Sequence, residues 1–322
     1  MTSNDLLSRI TEINIDDLVE AWGLSKIRFG RGLVRALARP VARNFARDVV
    51  KFNHAVHDGG LKAGGMMLCS RYTRGVRASG LKNVPGHGPL LIVSNHPGLC
   101  DTPALFAAIP RKDLRAITID RPFIRALPGL ARYFYMLPED AGSRAGVIRS
   151  AARHLDRGGA LLSFPAGRIE PDPAAASDAA ESLAEWSRSI GVFTRLAPDL
   201  RIVVVMIEGV FNPAALRHPL THLRRGRKNR EHLAAALQII WKPFQKNIVS
   251  LKFSAPLEAG DLLTQTRDRL QITRLVTETA KTLLSTHIKT WQTILPVHTH
   301  TKPVEKGTLY PNKTSLQIGC VR

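Results

Sequence analysis

A histidine and an aspartate separated by four residues follow a short aliphatic run in this chain. The run covers residues 89–93, and the next segment reads Ser94-Asn95-His96-Pro97-Gly98-Leu99-Cys100-Asp101. An imidazole accepts a proton near neutral pH, and a nearby carboxylate fixes its tautomer and stabilises the imidazolium that forms. The spacing predicts a general base, His96, oriented by Asp101. It also fits a histidine that only holds a loop, and both interpretations are open at this point.

A second segment of the same kind follows further along the chain. The aliphatic residues 160–162 lead into Ser163-Phe164-Pro165-Ala166-Gly167-Arg168. Both segments have the pattern of buried strand ends, where α/β proteins place their chemistry. No Gly-x-Ser-x-Gly elbow is present, and neither Cys69 nor Cys100 lies in a motif typical of cysteine enzymes. We therefore expect the nucleophile to come from the substrate.

The two segments resemble characteristic blocks of the glycerolipid acyltransferase superfamily, which contains glycerol-3-phosphate and lysophosphatidic acid acyltransferases. The first resembles its Asn-His-x4-Asp block, and the second resembles its Phe-Pro-Glu-Gly-Thr-Arg block. A third stretch, residues 202–210, is similar to the hydrophobic strand that closes the family's core. The order and spacing agree over residues 80–215.

The resemblance implies acyl transfer from a thioester, acyl-CoA or acyl-carrier protein, to a hydroxyl of a lysophospholipid or related lipid. In that mechanism His96 deprotonates the acceptor hydroxyl, Asp101 orients His96, and no acyl-enzyme forms. Backbone N–H groups near a helix start are the expected donors to the oxyanion. The thioester is a co-substrate, and neither a cofactor nor a metal is expected. The substrate-binding residues that the resemblance suggests are Asn95, Arg144, Gly167 and Arg168.

The chain departs from the family pattern in both places where arginine is expected. Ala166 replaces the glutamate of the second block, and Arg168 stands one position early. Glu170 is a candidate replacement for the lost carboxylate. In residues 133–140 a proline stands near the position where the family carries a phosphate-binding arginine. Arg144 is the nearest later candidate for that role. These departures weaken a glycerol phosphate acceptor more than acyl transfer itself, so a phosphate-free acceptor, such as a lyso-aminolipid or a glycolipid, stays open.

The charge of the chain predicts an anionic partner. Its 322 residues carry a formal net charge of +20, and 44% of them are hydrophobic. Residues 22–51 alternate apolar side chains with arginines about every four positions, which suits a helix on an anionic membrane surface. The same pattern also fits a helix that packs its apolar face on the protein. Pro40 is expected to divide this segment into two helices, and a second basic cluster covers residues 217–230.

Several other classes are disfavoured. No apolar run is long enough to span a membrane, and the N-terminus lacks the pattern of a secretory signal. Three scattered cysteines fit a reducing compartment, so we expect a cytoplasmic protein, peripheral on the inner face of a membrane. Nucleic acid is disfavoured as a partner because no recognition motif is visible. Histidine pairs lack nearby cysteine or carboxylate ligands, which argues against a metal site.

The alternation of strands and helices predicts an α/β fold, a mostly parallel sheet flanked by helices, with an N-terminal helical extension. We divide the chain into an N-terminal helical region (1–78), an acyltransferase-like α/β domain (79–294) and a disordered tail (295–322). Glycine pairs at 59–60 and 64–65 are expected to break the N-terminal helices. The alternative function is a non-catalytic protein on the same fold that binds anionic lipids or acyl chains.

Overall fold

The computed structural model describes residues 2–25, 30–140 and 142–296, and within them nine strands form one sheet. The order across the sheet is β4-β3-β5-β2-β6-β7-β1-β9, with β8 paired to β6. The strands are β1 Gly75–Ser79, β2 Leu90–Ser94, β3 Leu114–Ile119, β4 Phe134–Leu137, β5 Ala160–Ser163, β6 Arg201–Glu208, β7 Ile248–Phe253, β8 Leu257–Glu258 and β9 Gln292–Leu295.

The sheet is mostly parallel, as the sequence predicts. The five strands β4, β3, β5, β2 and β6 run parallel to their neighbours. Beyond them, β7 is antiparallel to β6 and parallel to β1, and β9 is antiparallel to β1. The carboxyl ends of the five parallel strands therefore meet at one edge, which is where polar side chains from different strands come together.

Thirteen helices of the described residues connect and cover these strands. They are α1 Ser3–Ala21, α2 Arg31–Tyr72, α3 Asp101–Ala108, α4 Pro122–Arg125, α5 Pro128–Ala131, α6 Arg144–Asp156, α7 Ala179–Ser182, α8 Ser189–Leu196, α9 Pro213–Leu216, α10 Pro219–His222, α11 Arg227–Ile240, α12 Ala259–Gln265 and α13 Arg269–Ser285. No helix in the described ranges combines the length and the apolar character that a membrane crossing requires.

The helices form a layer on each face of the sheet. All five residues of β2 are buried, because helices cover both faces of this strand, and four of the five are aliphatic. Leu90 and Ile92 pack with α1, α2 and α3, whereas Leu91 and Val93 pack with α6, α8, α12 and α13. This alternation follows from the two-residue period of a strand. The sheet thus has one core on each face.

The long helix α2 corrects the expectation for Pro40. The helix continues through Pro40, and Gly60 is the position inside α2 with non-helical backbone angles. A proline inside a helix removes the hydrogen bond to the carbonyl four residues earlier and crowds that carbonyl, a cost that packing can offset. Ala38 and Ala42 are fully buried against α1, and this packing holds the chain helical on both sides of the proline. The prediction that Pro40 divides residues 22–51 into two helices was therefore wrong.

The two glycine pairs of α2 have different roles. Gly60 has φ of 75°, a left-handed conformation that breaks the helix, so the expectation for residues 59–60 is confirmed. Gly64 and Gly65 instead lie buried within the helix. A Cβ on Gly65 would lie 2.4 Å from the carbonyl oxygen of Pro103 in α3. The second pair allows close approach of two helices, and the predicted break there was wrong.

Other elements differ from expectation at their ends. The helix expected over residues 179–193 is divided into α7, a 3₁₀ turn at Leu183–Glu185 and α8. Strands β1 and β9 were not predicted, since each is short and its pairing depends on distant residues. The domain boundaries stay predictions; β1 spans the one at 78/79. Of the tail expected to be disordered, residues 297–322 lie outside the described residues.

Candidate active site

The carboxyl edge of the parallel strands opens into a cleft of about 1020 Å³. His96, which follows β2, lies in its wall. Phe164, Gly167 and Arg168 follow β5 and also line the cleft, and Arg144 reaches it from the start of α6. The structure thus brings residues of the first two family-like segments, together with Arg144 and Arg168, into one cavity.

The histidine and aspartate of the first segment form a hydrogen-bonded pair. Nδ1 of His96 lies 2.7 Å from Oδ2 of Asp101. The chain reverses between them through Gly98, with φ of 92°, and Leu99, with φ of 52°. A left-handed conformation is costly for leucine and occurs mainly where the surrounding structure enforces it. The tight turn returns the carboxylate to the ring.

The carboxylate of Asp101 is held by several donors besides the imidazole. It is 1% exposed, and the N–H of Gly98 donates to Oδ2 at 2.7 Å. The hydroxyl of Thr102 donates to Oδ1 at 3.0 Å, and the N–H of Thr102 donates to the same atom. Asp101 also opens α3, where the helix dipole favours negative charge. The carboxylate is therefore fixed before any substrate binds.

The environment of His96 suits a general base. Its ring stacks on Phe164 with centroids 4.3 Å apart, and its side chain is 27% exposed. Burial lowers the pKa of His96, but the charge and hydrogen bond of Asp101 raise it, and the pKa stands above its ordinary value. Because Nδ1 is occupied by Asp101, Nε2 is the nitrogen left to accept a proton from a molecule in the cleft.

Asn95 bonds the neighbouring strand. Its side chain is 2% exposed, its Nδ2 donates to the carbonyl of Ile207 at 2.9 Å, and its Oδ1 accepts from the N–H of Ile207 at 2.7 Å. These two bonds continue the pairing of β2 with β6 just beyond the last paired residue. The observed role is to position the loop that carries His96, and contact with substrate stays a prediction.

The arginines of the cleft differ in what they bind. The guanidinium of Arg144 donates to the carbonyls of Pro138 and Glu139, at 3.0 and 2.9 Å. Arg168 forms an ion pair with Glu185. Both arginines line the cleft, as the predicted binding role requires. Each of them, however, already has partners within the protein. Gly167, with φ of 65°, forms the turn before Arg168.

Two further residues of the site were not found from the sequence. Arg121 follows β3 and lines the same cleft, and no ion pair is found for it among the described residues. Trp186 is 3% exposed and binds the carboxylate of Glu170, which in turn contacts His96. The signal for Arg121 was its place just after a predicted strand. Trp186 had none, because its contact depends on loop conformation.

The thiols of the described residues are poor nucleophiles. Cys69 and Cys100 are buried, and burial raises the pKa of both, that of Cys100 to about 12. A thiol in this state is uncharged and unreactive near neutral pH. In residues 2–25, 30–140 and 142–296 no group of three or more metal-ligating side chains is found. The expectation of a mechanism without metal or cofactor stays a prediction.

The chain matches a family sequence model and is similar to a solved structure. The sequence model described as Acyltransferase matches residues 75–240. Among solved structures, the chain is similar to the crystal structure of PlsC, the 1-acyl-sn-glycerophosphate acyltransferase from Thermotoga maritima. That likeness has 17% identity and a TM-score of 0.41, and it covers 89% of this chain and 97% of PlsC. None of the curated proteins matches the chain.

Proposed function

The chain belongs to the acyltransferase family, and from that premise we propose that it moves a fatty acyl group from an acyl thioester to a hydroxyl of a lysophospholipid or related lipid. The observation that carries the proposal is the His96–Asp101 pair, with Nδ1 2.7 Å from Oδ2, in the wall of a large cleft. A cleft of this size and lining is typical of sites for sizeable apolar ligands.

In the proposed mechanism the acceptor hydroxyl attacks the thioester directly. Nε2 of His96 takes the hydroxyl proton while the oxygen forms a bond to the carbonyl carbon. The tetrahedral intermediate collapses, the C–S bond breaks, and the imidazolium returns the proton to the departing thiolate. Asp101 stabilises the imidazolium between the two steps. The buried, protonated thiols Cys69 and Cys100 support attack by the substrate rather than by the protein.

The two sides of the cleft suit the two parts of a lipid substrate. Helices α1, α2 and α11 contribute mostly apolar side chains, Ile13, Leu18, Val41, Phe45, Ala235 and Ile239 among them, together with the polar Asn14, Asp17 and His232. The loops after β3 and β5 contribute Arg121 and Arg168, and the start of α6 contributes Arg144. We assign the apolar side to the acyl chain and the basic side to an anionic group of the acceptor. The donor, acyl-CoA or acyl-carrier protein, is a question for experiment.

We also propose that the protein docks on an anionic membrane surface through α2. Leu33 and Leu37 are 67% and 65% exposed, and with Pro40 they follow a helical spacing of four and three residues along one face. Arg43 and Arg47 lie on or beside this face and are exposed. Exposed leucines flanked by arginine are typical of interfacial helices. Val41 and Phe45 of the same helix line the cleft, so under this proposal the cleft would lie close to the bilayer.

The second basic cluster, residues 217–230, is partly engaged within the protein. Arg224 donates to the carbonyl of Glu20 at 3.2 Å, and Arg227 pairs with Asp178 and Glu231. Contact of the remaining cations with lipid phosphates stays a proposal. A cytoplasmic location on the inner face of a membrane is likewise proposed.

The experiment is a comparison of wild-type protein with His96→Ala. Free thiol released from a long-chain acyl-CoA is measured with and without pooled lysolipids, which include lysophosphatidate and phosphate-free lysolipids, and then with acylated carrier protein as donor. Acceptor-dependent release that His96→Ala lowers on the order of 100-fold or more supports the proposal. Absence of release with either donor, together with vesicle binding, favours the alternative function, a lipid-binding protein without catalysis.

A further inference from the structure

A second carboxylate lies directly behind the catalytic histidine. Glu170 is 1% exposed, and its Oε2 accepts the backbone N–H of His96 at 2.9 Å. Its Oε1 accepts Nε1–H of Trp186, also at 2.9 Å. The backbone N–H of Glu170 donates to the carbonyl of His96 at 2.8 Å. The peptide groups on both sides of the His96 side chain are therefore bound by one residue.

These bonds connect the loops of two neighbouring strands. His96 follows β2 and Glu170 lies in the loop after β5, and β2 pairs with β5. Trp186, just before α8, fixes the far oxygen of the carboxylate. The two carboxylate oxygens thus receive one N–H donor each from two different segments. Burial without these donors would be costly for a carboxylate, so the arrangement holds only while both donors are in place.

We propose that Glu170 is a positioning residue for the acyl transfer, whose carboxylate holds the His96 backbone in register with the Asp101 carboxylate and the cleft. The inference rests on the proposed function. It assigns to Glu170 the task of fixing the general base, while Glu170 itself touches neither substrate nor reacting atoms. A small displacement of a catalytic group is enough to slow a reaction strongly.

The chemistry of the two N–H donors makes the role specific to an ionised carboxylate. A glutamine at this position offers one acceptor oxygen, and its NH₂ group would face the second N–H donor. A protonated glutamic acid has the same defect. Burial raises the pKa of Glu170 to about 7, although the bonds from Trp186 and His96 and the charges of His96 and Arg168 oppose that rise. Protonation near pH 7 therefore removes one of the two acceptor oxygens of Glu170, and activity assays reach this pH range.

The test uses Glu170→Gln, Trp186→Phe and the double variant, with Glu181→Gln, an exposed glutamate of α7, as the matched control. We expect Glu170→Gln to lower kcat at least about tenfold with KM nearly unchanged, since positioning acts on the reaction rather than on binding. Phenylalanine in place of Trp186 removes the competing N–H donor, so the introduced glutamine can then turn its oxygen to His96. We therefore expect Glu170→Gln to cost much less in the Trp186→Phe background.

The pH profile adds a readout that a merely structural role would not move. The kcat ratio of wild type to Glu170→Gln should be largest above pH 7 and should shrink as the wild-type carboxylate becomes protonated. A ratio that is constant with pH, or equal losses from Glu170→Gln in both backgrounds, overturns the inference.

Hydrogen exchange separates this inference from the proposed function. The amide of His96 should exchange faster in Glu170→Gln than in wild type, whether or not acyl transfer is found. A wild type without transferase activity but with that faster exchange contradicts the proposed function and leaves the contact in place. An active wild type with Glu170→Gln as active at every pH contradicts the positioning role alone.

Discussion

At the scale of single residues, the catalytic proposal depends on how Asp101 changes His96. The carboxylate is 1% exposed and raises the pKa of the imidazole against the effect of burial. A general base acts in its neutral form, so kcat/KM should fall as the pH drops below the pKa of His96. The pH at which kcat/KM has fallen to half should therefore lie above the pKa of an unperturbed histidine.

Asp101→Asn should lower kcat/KM on the order of 100-fold and move the acid limb to lower pH, because the negative charge that raises the pKa of His96 is removed. The measurement is the pH dependence of thiol release. An unchanged limb and plateau would remove Asp101 from the mechanism.

The proposed site for an anionic acceptor includes Arg121, a cleft arginine for which neither an ion pair nor a side-chain hydrogen bond is found in the described residues. Arg121→Gln should raise KM for lysophosphatidate about tenfold or more, the worth of one hydrogen bond to a charged group, and leave KM for monoacylglycerol unchanged. Arg125→Gln is the matched control, since Arg125 lies nearby but pairs with Asp120. Equal effects on both acceptors contradict recognition of an anionic group.

Residue identity and local spacing were enough to predict the pairing of His96 with Asp101, because both lie on one turn after a predicted strand. Arg121 and Trp186 escaped, since their roles depend on which strands are neighbours and on how long loops fold. Glu170 was a candidate replacement for a lost glutamate, and its contact with the His96 backbone became visible only in three dimensions.

At the scale of elements, the central strands were more predictable than the edge strands and the helices around them. Central strands such as β2 and β6 carry continuous apolar runs, because both of their faces are covered. Pro40 and Gly64–Gly65 misled the prediction of α2, since their effect depends on the helices packed against them. At both places, the tendency of proline and glycine to break a helix was outweighed by tertiary contacts.

The packing of α2 on α3 gives a test at this scale. A Cβ on Gly65 would lie 2.4 and 2.6 Å from backbone atoms of Pro103 and Ala107. Gly65→Ala should lower the free energy of unfolding by about 1–3 kcal/mol. Gly32→Ala, in the same helix with nothing within 4 Å, should leave it unchanged or raise it by up to about 1 kcal/mol. Denaturant unfolding of both variants decides, and equal stabilities contradict the observed helix contact.

At the scale of the whole molecule, the net charge of +20 and the exposed leucines of α2 predict adsorption to anionic vesicles. Leu33→Ser with Leu37→Ser should weaken binding at least about tenfold, because each leucine contributes about 1.5–3 kcal/mol when fully buried in an apolar phase. Leu196→Ser is the control, since Leu196 is 47% exposed on α8, on the opposite face of the sheet. Vesicle sedimentation measures both, and equal losses return α2 to a structural role.

The central claim is that His96 activates an acceptor hydroxyl toward an acyl thioester in the cleft. The most direct measurement is thiol release that depends on pooled lysolipids, from a long-chain acyl-CoA and from acylated carrier protein, with product masses, for wild type and His96→Ala. The account predicts an acylated acceptor from wild type with at least one donor, and on the order of 100-fold less from the variant. Equal release by both proteins would contradict it.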